Sequence, residues 1–344
     1  MNKKLFIVTG ISGQDGAYMC KYLIDKNYEV IAATRGIGDR DLQNLNLLKV
    51  NLKRLKFEFF DLSDPSSIQK LIIKYKPSYF FNFAAQSYVG SSWDVAQRTL
   101  NNNTSAVLTM LETIKLFSKH TKFYQASTSE MFGNSSKKYI NETTPFNPVS
   151  PYGIFKLAAH NLVVNYRQAF GLHCISGILF NHESPIRGLN FVTRKITNCF
   201  AKLKLAKIKQ FELGNLNAKR DWGYAADYIN AAYLMLNDKK AEDYVIGTGK
   251  TFSVKYLVEL TAKIAGINIK YINNPKNNKN YFIEKNSGKI IISSSAENLR
   301  KQELHYLRAD MSKFKKRFNW KPSVNFKQLI TKMYQNDYDK ERKN

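Results

Sequence analysis

Little in this chain could staple it together or anchor it to a membrane. Its 344 residues hold three cysteines, Cys20, Cys174 and Cys199, odd in number and far apart. No Cys-x-x-Cys spacing occurs, so neither a disulfide framework nor a metal site is expected, and the thiols read as reduced and mostly buried. No run approaches the roughly 20 apolar residues that a membrane helix needs. Met1-Asn2-Lys3-Lys4 leads straight into Leu5-Phe6-Ile7-Val8, too short an apolar stretch for a secretory signal core. The expectation is a cytoplasmic protein with no membrane partner. Internal repeats are also lacking.

Acidic residues are scarce, 27 against 53 lysines and arginines, for a formal charge of +26. A surplus of that size raises the question of nucleic acid or an anionic membrane. It is spread along the chain, however. Lys137-Lys138 and the cluster Lys313, Lys315, Lys316 and Arg317 fall in predicted loops or on exposed helix faces, and no nucleic-acid motif accompanies them. The surplus therefore reads as a solvated surface in an asparagine-rich chain, with no nucleic-acid partner, although such a surface can steer a doubly charged nucleotide substrate.

The hydrophobic content of 44% is ordinary, and the length suffices for a large core. Apolar runs at Leu5–Thr9, Val30–Ala33, Leu55–Phe60, Tyr79–Phe83, Phe123–Ala126 and Cys174–Leu179 alternate with predicted helices at Asp15–Lys26, Pro65–Tyr75, Val95–Phe117 and around Tyr152. Strands alternating with helices imply parallel pairing and right-handed crossovers. The fold class is α/β, a doubly wound parallel sheet of Rossmann type with a smaller C-terminal substrate-binding region. Residues 1–180 read as the dinucleotide-binding domain and 181–344 mainly as the substrate region, with some segments returning to the first. The polar stretch Asn273–Gly288 reads as a mobile loop, and the charged tail Asn336–Asn344 as frayed.

Gly10-Ile11-Ser12-Gly13-Gln14-Asp15-Gly16 lies between the first strand and the first helix. Glycines there let the backbone turn tightly and approach a pyrophosphate, while the helix N-terminus offers unpaired N–H groups to the anion. The second strand ends Ala33-Thr34-Arg35, without the acid that would accept a ribose hydroxyl, so Arg35 favours NADP over NAD. The competing reading makes Arg35 a solvated loop residue. Asp61-Leu62 can reach the adenine edge, and Phe83-Ala84-Ala85-Gln86-Ser87 is small enough to pass beneath the cofactor.

Tyr152 and Lys156 stand four positions apart, on one helix face, where the ammonium is expected to hold the phenol partly ionised. Thr128 adds a hydroxyl relay, and Glu130 a second proton acceptor. Taken singly, each has a bland reading: Tyr-x-x-x-Lys is common on helix surfaces, Thr128 could cap the next segment, and Glu130 could be a surface acid.

Gly10 to Gly16, Tyr152 with Lys156, and Ser127 to Glu130 together resemble the extended short-chain dehydrogenase/reductase family. Tyr124 to Gly133, Asn181-His182-Glu183-Ser184-Pro185, Phe191 to Ile196 and Arg220-Asp221-Trp222-Gly223 narrow the resemblance to its nucleotide-sugar dehydratases, in the same order along the chain. The resemblance implies a lyase with retained NADP and a reaction without net oxidation. A GDP-hexose would be oxidised at carbon 4 as Tyr152 removes the hydroxyl proton, helped by Thr128 and the charge of Lys156. Glu130 would remove the carbon 5 proton, water would leave from carbon 6, and reduction there would give a 4-keto-6-deoxy sugar. By the same resemblance His182 and Arg187 lie near the nicotinamide and the cofactor phosphate, with a structural histidine as the alternative for His182. Ser87, Asn181, Lys195, Arg220 and Arg300 would face the GDP-sugar. Family members assemble as dimers or tetramers, which points to a homo-oligomer with a contact at Ile37–Leu47.

Leu299 to Asp310 departs from the family pattern, with Lys301 in place of a proline and Ala309 before Asp310, and Ile267 to Ala296 aligns poorly. Those segments help enclose the substrate, which leaves another GDP-sugar, such as a GDP-heptose or GDP-N-acetylglucosamine, as an alternative. An epimerase or reductase on the same fold would not need Glu130. A basic dinucleotide-sensing or RNA-binding module would not need Tyr152, Lys156 or Glu130.

Overall fold

A computed structural model describes residues 4–274, 279–294 and 302–343. The chain opens with β1 (Leu5–Thr9), α1 (Gln14–Asp25), β2 (Glu29–Thr34), α2 (Asp39–Leu47), β3 (Leu55–Phe59), α3 (Pro65–Tyr75) and β4 (Tyr79–Asn82). Next come α4 (Ala96–Leu100), α5 (Ala106–Phe117), β5 (Lys122–Thr128), α6 (Pro151–Phe170) and β6 (Cys174–Leu179). The middle of the chain forms β7 (Asn181–Glu183), α7 (Val192–Lys204), β8 (Phe211–Leu213), β9 (Lys219–Arg220), β10 (Trp222–Tyr224), α8 (Ala225–Asn237) and β11 (Tyr244–Ile246). The remainder holds β12 (Phe252–Ser253), α9 (Val254–Ala265), β13 (Ile269–Asn274), β14 (Lys279–Glu284), β15 (Ile290–Ser294), α10 (Ser312–Phe318) and α11 (Phe326–Lys343). No helix among the described residues is long and apolar enough to cross a membrane.

Seven parallel strands make the main sheet, in the order β11-β6-β5-β4-β1-β2-β3. Helices cover both faces, so the central strands β4 and β6 are buried throughout and their sequences are continuous apolar runs rather than alternating ones. Strand order reverses between β1 and β4, the position where doubly wound sheets open a crevice for a ligand.

Local chemistry fixes the elements that carry function. Asp64 accepts a hydrogen bond from the Ser66 N–H and Pro65 starts α3, which is why this helix matches its predicted bounds. Ser150 caps α6 through the Gly153 N–H, Pro151 follows, and Gly171 at φ +66° ends the helix. Tyr152 thereby sits in the first turn of α6 and Lys156 one turn later. The helix expected over Val95–Phe117 is interrupted by a π turn at Asn101–Ser105. There Asn103 turns inward, accepting from the Gln86 N–H at 2.9 Å and donating to the Gln86 carbonyl at 3.0 Å. A side chain pairing with a distant backbone segment in this way shifts the local ladder by one residue.

Residues beyond β7 divide between two cores. Met235, Tyr244, Val245, Ile246, Phe314 and Trp320 join the core of the main sheet. A second core gathers Ile196, Phe200, Phe211, Trp222, Leu257, Phe282, Phe326, Ile330 and Met333 beside the sheet β13-β14-β15-β8.

Two expectations are corrected. The stretch Asn273–Gly288 is largely a hairpin: β13 and β14 pair antiparallel from Ile269↔Glu284 to Asn274↔Lys279, held to β8 through β15. Phe282 anchors it, fully buried and 5.2 Å from the Tyr271 ring; the tip at 275–278 lies outside the described residues. The tail from Asn336 to Lys343 is helical, and Asp337 is completely buried because Arg194 and Thr197 donate to its carboxylate at 2.6 and 2.7 Å. Cys20 and Cys174 are buried, Cys199 is half-buried, and all three are free thiols.

Candidate active site

A cleft of about 240 Å³ opens at the strand-order reversal, between the C-terminal ends of β1 to β4. Gly10 turns there at φ +72°, and a Cβ at this position would lie 2.8 Å from the Ala84 nitrogen. A Cβ on Gly16 would lie 2.4 Å from the Gly10 carbonyl oxygen, so α1 can approach the loop only without a side chain. No side chain caps α1, which leaves its first N–H groups facing the loop. Of the expected cofactor residues, Gly10, Ser12, Gly13, Arg35, Asp61, Leu62, Ala84, Ala85, Gln86 and Ser87 line the cleft.

Asp41, Arg98 and Asn102 also line it, and the sequence reading missed them. Asn102 and Arg98 lie four apart on the helix after β4, a spacing that could have flagged them. The Asn102 Oδ1 and Gln86 Oε1 atoms are buried there without a hydrogen-bond partner. Polar atoms left unpaired in a glycine-walled cleft suit a ligand rich in hydroxyl and amino donors. At Asp61, burial favours the neutral acid, but the N–H and hydroxyl of Ser63, with Arg35 and Arg98 nearby, hold the carboxyl below its ordinary value.

Gln14, Asp15 and His182 are tied to one another at the start of α1, where the Asp15 charge is felt at Tyr152 and Lys156. Asp15 Oδ2 lies 2.9 Å from His182 Nε2, while His182 Nδ1 lies 2.8 Å from the Phe180 carbonyl and its ring stacks on Tyr228 at 4.7 Å. Burial opposes charge on both partners, yet the pair prevails: Asp15 falls to about 2 and His182 rises. The Gln14 Oε1 accepts from Ser184 at 2.6 Å, and its amide donates to the His182 carbonyl at 3.0 Å. These bonds pin the start of α1 to β7.

The catalytic constellation assembles around Tyr152. Thr128, at the end of β5, caps the turn Ser129–Phe132 through the Glu130 N–H at 3.3 Å, and its hydroxyl favours the ionised form of Tyr152. Capping leaves the relay reading of Thr128 open. Glu130 is buried, and its charge is felt at Tyr152. Gly153 makes this closeness possible, since a Cβ there would sit 3.0 Å from the Glu130 carbonyl oxygen. Lys156 Nζ donates to the Ala126 carbonyl at 2.8 Å and lies 5.9 Å from the centre of the Tyr152 ring.

The expected ionisation of the phenol by Lys156 is not found. Burial pushes Tyr152 up to about 12; the Thr128 bond and the Arg187 charge oppose it, while Glu130 and Asp15 add to it. Burial also lowers Lys156 to about 8, against the pull of Asp15. Four-residue spacing brings the two groups to one face, and burial is the largest influence on each. Arg187, expected near the cofactor phosphate, is the cation felt at Tyr152; its guanidinium stacks 3.5 Å over Phe191 and its Nε lies 3.3 Å from Glu183.

Of the expected substrate residues, Ser87 lines the cleft, and Asn181, Lys195 and Arg220 stand on β7, α7 and β9. Asn181 pairs with Trp222 where β7 meets β10. Lys195 is half-buried on α7. Arg220 is buried, with its NH2 3.2 Å from Glu303. Asp221 is a structural hub: its carboxylate accepts from the N–H groups of Thr248, Gly249 and Ala309 and from the Thr248 hydroxyl. Arg300 lies outside the described residues.

A seven-stranded parallel sheet with a glycine loop at its reversal, and a buried tyrosine and lysine at the start of the helix after β5, define an extended short-chain dehydrogenase/reductase. Solved structures agree at the level of fold. The UDP-glucose 4-epimerase of Thermotoga maritima, crystallised with UDP-glucose, superposes with a TM-score of 0.81 at 22% identity, covering 99% of this chain and 100% of its own. The dTDP-glucose 4,6-dehydratase of Bacillus anthracis, in complex with NAD, gives 0.79 at 20% identity, with 99% and 98% covered.

Sequence comparison is narrower. Residues 7–333 match the family model described as GDP-mannose 4,6 dehydratase. The GDP-mannose 4,6 dehydratases of Cricetulus griseus and Homo sapiens are 41% and 40% identical, each over 99% of this chain and 93% of their own length. That of Vibrio cholerae is 35% identical over 98% and 95%. The chain belongs to the GDP-mannose 4,6-dehydratase family of hydro-lyases.

Proposed function

We propose that this chain converts GDP-mannose to GDP-4-keto-6-deoxymannose and water, with Tyr152 and Glu130 as two bases acting in turn. The observation that carries the reading is the buried carboxylate of Glu130 set beside the Thr128–Tyr152 pair. A reductase or epimerase needs one proton acceptor at carbon 4, whereas a dehydratase needs a second at carbon 5.

NADP, when bound, supplies reversible two-electron oxidation at carbon 4 and reduction at carbon 6. Tyr152 takes the carbon 4 hydroxyl proton, with Thr128 bridging phenol and sugar. Lys156 and Arg187 bring positive charge to the phenolate that forms. The ketone acidifies the carbon 5 proton, which Glu130 removes; the protonated carboxyl then donates to the departing carbon 6 hydroxyl. Gly10, Ser12, Gly13 and the start of α1 would hold the pyrophosphate, and Asp61 and Leu62 the adenine. Arg35 at the end of β2 supports NADP over NAD, since the nearby Asp41 carboxylate already accepts from the Gly38 N–H at 3.2 Å. Ser87, Asn181, Lys195, Arg220 and Arg300 are assigned to the nucleotide-sugar.

We read the protein as cytoplasmic and as a homo-oligomer, dimer or tetramer, a reading supported by the exposed Ile37 and Leu47 that flank the segment after Arg35. The departures from the family pattern at Lys301 and Ala309 favour a second reading, dehydration of another GDP-sugar. Incubation with GDP-, dTDP-, UDP- and CDP-sugars, without added cofactor, followed by mass spectrometry, tests both. Loss of one water from GDP-mannose is expected; an isomer of unchanged mass, or turnover of a different nucleotide-sugar alone, contradicts the proposal.

A further inference from the structure

The C-terminal helix reaches the loop that carries Arg187 at two points. Asn336 Nδ2 donates to the Pro185 carbonyl at 3.2 Å. Asp337 takes the Arg194 Nε at 2.6 Å, and Arg194 NH1 donates to the Arg187 carbonyl at 2.8 Å. The Arg194 side chain is 7% exposed and that of Asp337 0%. Thr197 fills the second carboxylate oxygen at 2.7 Å. This buried cluster holds the Arg187 carbonyl and Asn336 the Pro185 carbonyl, so both flanking carbonyls of the 185–187 turn are fixed. The other end of Arg187 is held by Glu183, which also accepts from Thr193 at 2.5 Å, and by the Phe191 ring.

We propose that Asn336 and Asp337 are positioning residues for catalysis: by fixing the Pro185 and Arg187 carbonyls, the C-terminal helix holds the Arg187 guanidinium in one place, against Phe191 and Glu183. The inference rests on the reading of Tyr152 as the first base. The groups acting on that phenol are Thr128, Glu130, Arg187 and Asp15, with Lys156 below the ring. Arg187 is the cation among them whose location depends on a loop, so it is the one a distant helix can tune.

Asn336→Ala removes one donor at a half-buried site, and Asp337→Asn removes the buried charge; the second risks misfolding, the first does not. Each is combined with Arg187→Met. With one mechanism, Asn336→Ala lowers kcat about tenfold, leaves KM for GDP-mannose within about twofold, and lowers kcat no further once Arg187 is Met. Amide hydrogen exchange over residues 184–191 accelerates in Asn336→Ala, a readout that needs no turnover. The inference is overturned if kcat falls by the same factor in both backgrounds, if it does not fall, or if exchange over 184–191 is unchanged. A wild-type protein that fails to dehydrate GDP-mannose overturns the proposed function instead, and leaves the exchange result to judge the loop.

Discussion

His182 Nε2 and Asp15 Oδ2 meet at 2.9 Å across 167 residues of chain, joining the first turn of α1 to β7. The helix that follows the glycine loop and the strand that follows β6 are thereby fixed to one another by an ion pair.

That pair gives the first prediction. His182 is raised, so its contribution is complete below the ordinary histidine value near 6.5 and is lost as pH rises through its folded value. Asp15 is lowered to about 2, so its contribution is present above the ordinary 3.8 and is lost as pH falls through about 2. Asp15→Asn should therefore cost about 3 kcal/mol at pH 5.5 and clearly less at pH 9. Urea denaturation at the two pH values measures this; equal losses at both would show that the pair is not charged.

Lys156 carries the second. Because burial lowers it to about 8, its charge should fade as pH rises through that value, giving kcat/KM a descending limb near pH 8. Lys156→Arg, always charged, should remove this limb while lowering the maximum. A limb unchanged in that variant would assign it to another group.

The proposed preference for NADP rests on Arg35. Arg35→Ala should weaken NADP binding about tenfold or more and alter NAD binding little, by isothermal titration. Tighter binding of NAD than NADP to the wild-type protein would reverse the assignment.

Gly16→Ala tests the close approach of α1 to the loop. A Cβ 2.4 Å from the Gly10 carbonyl oxygen forces α1 away, so dinucleotide affinity should fall at least tenfold with far-UV circular dichroism unchanged. Unaltered affinity would mean that the turn has slack that its geometry does not suggest.

How far sequence reaches is clear from particular elements. Buried parallel strands such as Phe80-Phe81 and Ile175 to Leu179 have no solvent face, so they read as unbroken apolar runs. The Asp64-Pro65 and Ser150-Pro151 pairs mark helix starts through their own backbone bonds. What escaped reading depends on partners far along the chain. Asp337 looks like a solvated tail acid until Arg194, 143 positions away, is placed against it. The polar hairpin β13-β14 is held by Phe282 in a core the local pattern hides. Thr128, Glu130, Tyr152 and Lys156 could be named from spacing and resemblance, but their burial could not, and burial sets the proton affinities of Tyr152 and Lys156.

Dehydration, rather than epimerisation or reduction, requires Glu130 as the second base. Glu130→Gln, incubated with GDP-mannose and followed by mass spectrometry of the sugar nucleotide, tests it most directly. Dehydration should fall by at least about a hundredfold while GDP-mannose still binds. Dehydrated product formed at the wild-type rate would contradict it.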